Sequence, residues 1–319
     1  MVFYFCFMND KLLVLGTIAY DSIETPNIKT GKILGGCATY IGLAASKFKT
    51  NCCLVSIVGE DFDKSHINLL ESKKLDLSGV EIVANEKTFF WKGKYHENLN
   101  KRTTLETQLN VLTKFYPKIP KNFLDSSIVV LGNVDPNIQL AVLDQIEQPK
   151  LIVMDTMNFW IESYRDKLNE LIKKVDLISI NDEEALQLTN CQSTVEAAYK
   201  IQNMGPKFVI IKKGENGALL ISKDNVFSLP SLPLKKFSDP TGAGDSFIGG
   251  VVGYLSQFKN ISFDQIKGGV VIGSCIASFT VQEFGTKALE EITVSQLEQR
   301  IKDFKLLTEF EIMKTIFHE

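Results

Sequence analysis

The sequence predicts an α/β fold: a mostly parallel central sheet flanked by helices on both faces, with a small β-strand lid beside it. Three observations predict it. Short β-branched runs alternate with helical patterns through most of the 319 residues, the order that yields parallel strands joined by crossover helices. One stretch, about residues 80–109, carries strand-like pieces with no helix between them. No repeat, low-complexity tract or linker divides the chain, so residues 11–319 read as one domain.

The elements follow in order. Leu12, Leu13, Val14 and Leu15 open the first strand, ending at Gly16; a helix is expected over 38–48 and the next strand over 51–59. Further strands are expected over 127–132, 150–155, 176–180 and 208–212, with helices over 137–146, 160–173 and 182–188. In the off-rhythm stretch, Thr88-Phe89-Phe90-Trp91, Lys94-Tyr95 and the run from Arg102 to Leu105 read as a small antiparallel insertion. It is either a surface hairpin or a lid over a site, together with part of 17–34. The longest apolar run, 268–281, is too short to span a bilayer and reads as a buried core helix.

Composition excludes some partners. A net charge of −3 with no Lys/Arg-rich run argues against nucleic acid. The six cysteines lack metal-ligand spacing, since Cys52 and Cys53 are adjacent, and a reduced, cytoplasmic protein is expected. Met1 to Phe7 is apolar without a basic leader or cleavage site. Residues 1–10 therefore read as a disordered extension, or as a start misassigned ahead of Met8, with no membrane role.

The chemistry concentrates at Asp239-Pro240-Thr241-Gly242-Ala243-Gly244-Asp245. A carboxylate stands behind a glycine turn just where an apolar run, 247–255, announces a helix. Free N–H groups and the positive dipole end at a helix start form an anion site. Gly242 and Gly244 let backbone approach a phosphate. An acid there repels phosphate unless it serves a purpose, and a general base facing an attacking hydroxyl supplies one. The alternative is an acid that merely complements the dipole. Asp239 and Thr241 add oxygens where a cation can bind.

Other candidates lie at expected strand ends. Asn181 and Glu184 have the spacing of a capping box, or place Glu184 near a hydrated Mg2+ ion through water. Lys212, Gly214 and Gly217 form a strand end turning through two glycines, either a plain turn or a nucleotide contact. Gly35-Gly36 precedes the first helix, as a loop or as a close ligand approach, and Asp21 is the matching acid or a solvated loop residue. Asn133, with Asp135, and the Asp155-Thr156-Met157-Asn158 segment face the same rim.

Together these motifs resemble the PfkB family of carbohydrate and nucleoside kinases, with its ribokinase-like fold. Asp239 to Asp245 is similar to the family's D-T-x-G-A-G-D signature, Asn181-x-x-Glu184 to its N-x-x-E motif, and Gly35-Gly36 to its N-terminal di-glycine, all in the family's order. The resemblance implies an ATP-dependent phosphotransferase acting on a hydroxymethyl group of a sugar, or alternatively of a nucleoside, with a non-catalytic binding protein as the rival of another class. It implies that Asp245 is the base and that the Gly242, Ala243 and Gly244 amides form an anion hole. Asn181 and Glu184 would place Mg2+ and ATP, with Lys212, Gly214 and Gly217 at the nucleotide. Asp21, Gly35, Gly36, Tyr40 and Asn133 would line the acceptor site. Asp239, Thr241 and Gly285 fall where relatives hold a monovalent cation, commonly K+, and lids in the family sometimes pair two subunits as a homodimer. One departure stands out: sugar-specific members have G-G-x-x-x-N, whereas this chain has Tyr40 at the asparagine's place. Tyr40 either stacks on a ligand ring or belongs to the core.

Overall fold

The computed structural model describes residues 10–97 and 102–309. The N-terminal extension over 1–9 lies outside the described residues. The strands are β1 Lys11–Leu15, β2 Ala19–Glu24, β3 Ile33–Gly35, β4 Asn51–Gly59, β5 Leu75–Val83, β6 Phe90–Tyr95, β7 Arg102–Gln108, β8 Ile128–Leu131, β9 Leu151–Met154, β10 Leu177–Asn181, β11 Phe208–Lys212, β12 Ala218–Ile221 and β13 Val226–Leu229. Nine of them form the central sheet in the order β13-β12-β11-β10-β9-β8-β1-β4-β5. From β5 to β11 all pairs are parallel, and β12 and β13 add antiparallel pairs at one edge.

Strand β1 is apolar from Leu12 to Leu15 because both its faces are covered there. Leu12 and Val14 point into one core, which includes Ile41, Phe247, Val251 and Ile276. Those residues come from the helices Cys37–Ala45, Ala243–Leu255 and Phe263–Thr280. Leu13 and Leu15 point the other way, into a core with Leu168, Leu188 and Ala197, carried by the helices Arg165–Ile172, Asp182–Thr189 and Thr194–Gln202. Among the described residues, no helix is long and apolar enough to cross a membrane.

A second sheet, β3-β2-β6-β7, stands beside the first. It is smaller than the sequence suggests, because residues 80–83 continue β5 and pair with β4 in the central sheet. Nor is it wholly antiparallel, since β2 and β6 run parallel and recruit the 19–24 segment to the insertion. Two helices also differ from expectation. The helix expected over 160–173 is two, Asn158–Ser163 and Arg165–Ile172, broken at Tyr164, whose φ of −130° is not helical. The helix expected from the apolar run at Phe247 begins at Ala243 instead, because Gly242, at φ 75°, takes the left-handed conformation at its N-cap.

The parallel strands deliver their carboxyl ends to one rim of the central sheet, the position where ligands collect in such sheets. Asp155 follows β9, Asn181 ends β10, and Lys212 ends β11 directly opposite Asn181 in the register. The Gly242 turn arrives at the same rim from the helix layer.

Candidate active site

Asp245 sits in the first turn of the helix Ala243–Leu255 and is half-buried. Burial, and then the charge of Asp155, push its carboxyl up to about 7, while Lys212 and Arg102 pull the other way. Lys212 Nζ donates to Asp155 Oδ1 at 3.1 Å. A Cβ added to Gly244 would lie only 3.1 Å from the same Nζ. The ammonium therefore lies against the glycine turn, at the junction of β9, β11 and that helix. Burial alone would lower the Lys212 pKa, but Asp155, Glu184 and Asp245 more than offset this and hold it above its ordinary value.

The turn itself has little freedom. A Cβ on Gly242 would overlap the Tyr40 ring at 2.3 Å, and its φ of 75° excludes most side chains. The Ala243 N–H donates to the Pro240 carbonyl at 3.1 Å, so this amide is engaged within the turn. The N–H groups of Gly242 and Gly244 have no acceptor among the described residues.

Asn181 and Glu184 form the full capping box. Asn181 Oδ1 accepts from the Glu184 N–H at 2.7 Å, and the Asn181 N–H donates to Glu184 Oε2 at 3.1 Å. Glu184 is buried, and burial followed by the Asp155 charge raises its carboxyl to about 7. Three carboxylates, on Asp155, Glu184 and Asp245, thus surround Lys212. That surplus of negative charge suits a bound cation.

Lys212, Gly214, Gly217, Ala243 and Gly244 line one cavity of about 840 Å3, whose apolar wall includes Leu232, Pro233 and Phe247. Three of the five expected cofactor contacts, Lys212, Gly214 and Gly217, therefore lie together beside a slot able to take a flat apolar ring, while Asn181 and Glu184 are not in its lining.

The acceptor candidates form a second group. Asp21 is buried and takes a hydrogen bond from the Gly36 N–H. A Cβ on Gly35 would strike its Oδ2 at 2.0 Å, so the di-glycine is fitted to this carboxylate. Burial, with the Asp239 and Asp245 charges, raises the Asp21 carboxyl to about 7. Asp239 is wholly buried: its Oδ1 accepts from the Thr241 N–H at 2.9 Å, Gly285 donates another backbone bond, and its Oδ2 has no partner. Asp239, Thr241 and Gly285 are thus adjacent, and the orphaned buried oxygen fits a cation ligand.

Tyr40 is 1% exposed, with its ring beneath Gly242, and so supports the turn. Asp135 caps the helix Pro136–Leu143, accepting from the Asn137 N–H at 2.8 Å. Asn133 stays on the rim, half-buried, where its Oδ1 accepts from Trp160 Nε1 at 2.7 Å.

The structure gives three further residues a sharper part than the sequence does. Asp155, on the expected rim, anchors Lys212 and shifts both Asp245 and Glu184. Its position at the end of a buried strand was the available signal. Arg102, on the second sheet, draws down the carboxyls of Asp21, Glu184 and Asp245 and hydrogen-bonds Tyr95. Tyr95 in turn shares a hydrogen bond with Thr241 Oγ1 at 3.0 Å, tying that sheet to the glycine turn. Only the folded pairing of β2 with β6 brings these groups over the site.

Known proteins are similar to this chain in sequence and in fold. A cytidine kinase from Thermococcus kodakarensis is 32% identical over 252 residues, covering 77% of this chain and 88% of the relative. A nucleoside kinase from Methanocaldococcus jannaschii is 27% identical over 269 residues, covering 83% of each chain. Among solved structures, a Burkholderia thailandensis nucleoside kinase in complex with inosine superposes with a TM-score of 0.76 at 19% identity, covering 94% of this chain and all of that one. A Thermotoga maritima ribokinase gives a TM-score of 0.72 at 20% identity, covering 92% and 99%. The sequence pattern of the pfkB family carbohydrate kinases matches residues 9–292, and with the signature turn, the capping box and the di-glycine converging on one rim, the chain belongs to that family of ATP-dependent kinases.

Proposed function

We propose that this kinase transfers the terminal phosphoryl group of ATP to a hydroxymethyl group of a nucleoside, with Asp245 as the general base. The observation that carries the reading is Asp245 itself. It is a half-buried carboxyl, raised to about 7, at a helix start whose glycine amides are free and whose neighbour Gly244 lies against Lys212. A base is most useful when its pKa lies near the working pH. The choice of a nucleoside over a simple sugar draws on the relatives, several of which are nucleoside kinases.

Asp21 and the Gly36 turn orient the acceptor hydroxyl towards Asp245. Asp245 takes the hydroxyl proton as the acceptor oxygen bonds to the terminal phosphorus. The bond between that phosphorus and its bridging oxygen breaks as ADP departs. The Gly242 and Gly244 amides and the Lys212 ammonium face the charge on the transferring group, an arrangement set before the reaction begins. Glu184, with Asn181 beside it, is the carboxylate that would hold a hydrated Mg2+, which neutralises phosphate charge when bound with ATP. Asp239, Thr241 and Gly285 would hold a monovalent cation such as K+ behind the turn. The second sheet closes over the acceptor as a lid, held by Tyr95 and Thr241. Work of this kind suits the cytoplasm.

A coupled ADP-release screen across nucleosides, sugars and sugar phosphates, with K+ or Na+ as the monovalent ion, tests the reading. Turnover of one or more nucleosides with kcat/KM well above that of any free sugar is expected, with K+ stimulating. A clear preference for a sugar or sugar phosphate refutes the nucleoside assignment while leaving the kinase chemistry standing.

A further inference from the structure

We infer that Trp160 and Asn133 together form the face that receives the planar base of the acceptor. The inference rests on the nucleoside reading above and adds the residues that enforce it. Asn133 follows β8, and its backbone carbonyl accepts from Cys37 Sγ at 3.8 Å. Cys37 directly follows Gly36, whose amide holds Asp21. Asn133 therefore borders the crevice where the acceptor hydroxyl is bound.

The indole N–H of Trp160 can only donate, so the atom of Asn133 that faces it at 2.7 Å is the carbonyl oxygen. This fixes the amide. Its NH2 group is turned away from the indole and has no acceptor among the described residues. Two donors are thereby presented at the rim, suited to a ring nitrogen or exocyclic carbonyl of a base and of no use to an aliphatic face.

The indole is likewise held in one plane. Phe159 meets it edge-on at 4.9 Å and 72°, and Tyr164 at 5.2 Å and 73°. The helix Asn158–Ser163 that carries it is tied down by Asn158 Nδ2 donating to Gln187 Oε1 at 2.9 Å, on the helix that starts at the Asn181–Glu184 box. Trp160 is half-buried and Phe159 is 49% exposed. A rigid aromatic cluster left partly open beside fixed donors matches a flat, hydrogen-bonding ring.

The sequence holds two tryptophans, at 91 and 160, so Trp91→Phe leaves Trp160 as the sole indole reporter. Titrating that variant with the best nucleoside, without ATP, should quench its fluorescence saturably, whereas ribose should not. Trp160→Leu should raise the nucleoside KM by about tenfold or more, the usual scale for losing one base-aromatic stack. Its kcat and its KM for ATP should stay near wild-type values. Trp160→Phe, which keeps a ring but loses the N–H, should fall between, and it serves as the fallback if the leucine variant does not fold. An unchanged nucleoside KM in both variants, or no quenching in a Trp91→Phe enzyme that turns nucleosides over, overturns this inference alone. A wild-type enzyme that phosphorylates sugars and no nucleoside overturns the acceptor assignment and this inference with it.

Discussion

Replacing Lys212 by methionine keeps most of the apolar stem and removes the ammonium around which three carboxylates are arranged. At the observed 3.1 Å from Asp155, two unit charges in a medium of effective dielectric 20 attract by about 5 kcal/mol before desolvation is subtracted. The Lys212 and Asp155 side chains are only 16% and 8% exposed, so losing one partner strands a buried charge, an error that costs about 3–5 kcal/mol. In a protein of this size that corresponds to a fall in Tm of roughly 5 °C or more. Two catalytic effects should accompany it. Losing a fixed positive group that faces the transferring phosphoryl should lower kcat about a hundredfold to a thousandfold, the scale of one lost oxyanion donor. And because the ammonium draws the Asp245 carboxyl down, its removal should shift the acidic limb of kcat/KM upward from about 7, by about one unit for each 1.4 kcal/mol of lost interaction. A coupled ADP assay from pH 5.5 to 9.5 separates the two. Raising the pH recovers the loss caused by protonated Asp245, while the deficit that persists on the plateau belongs to the phosphoryl group. Lys212→Arg, which keeps the charge, should retain most of the limb position. A methionine variant with wild-type kcat on the plateau, or with its limb moved to lower pH, refutes the placement of Lys212 between base and phosphate.

Asp245→Asn should cut turnover by a hundredfold or more, on the scale of general-base loss, while leaving ATP affinity measured by calorimetry nearly unchanged. The same variant should melt higher at pH 8. The folded carboxyl titrates at about 7 against about 3.9 unfolded, so the folded state binds the extra proton between those values and loses stability as pH rises through them. Asparagine removes that cost, so near-normal turnover or a lower Tm at pH 8 counts against the base. Tyr95→Phe should lower kcat/KM for the acceptor about fivefold, as expected for one hydrogen bond of about 1 kcal/mol, and leave KM for ATP unmoved; an equal loss for both substrates refutes the lid role. Tyr40→Phe removes a buried hydroxyl that has no partner and should leave kinetics unchanged with Tm equal or higher. A tenfold rise in acceptor KM would show that Tyr40 does touch the ligand.

How much of this was readable beforehand depends on what each signal encodes. The glycine turn, the capping box and the di-glycine are local patterns whose conformation their own residues dictate: Gly242 needs a positive φ, and Asn181 and Glu184 satisfy each other's N–H groups. Alternating apolar runs likewise dictated the central sheet, because a strand buried on both faces has nowhere to put polar residues. Tyr40 was ambiguous for the opposite reason. A tyrosine in a buried helix looks the same whether it supports a turn or faces a ligand, and only the turn packing onto its ring decides. The second sheet was misjudged at its start because residues 80–83 are strand-like in either sheet, and pairing with β4 is a long-range event. Arg102 and Trp160 carry no motif of their own. Each acquires meaning from partners far off in sequence, Arg102 from Asp245 across the β2–β6 pairing and Trp160 from Asn133 across the β8–β9 rim. The chemistry of phosphoryl transfer requires a fixed backbone shape and so leaves a short signature. Recognition of one acceptor over another requires only that side chains from separate strands meet at one rim, and that leaves none.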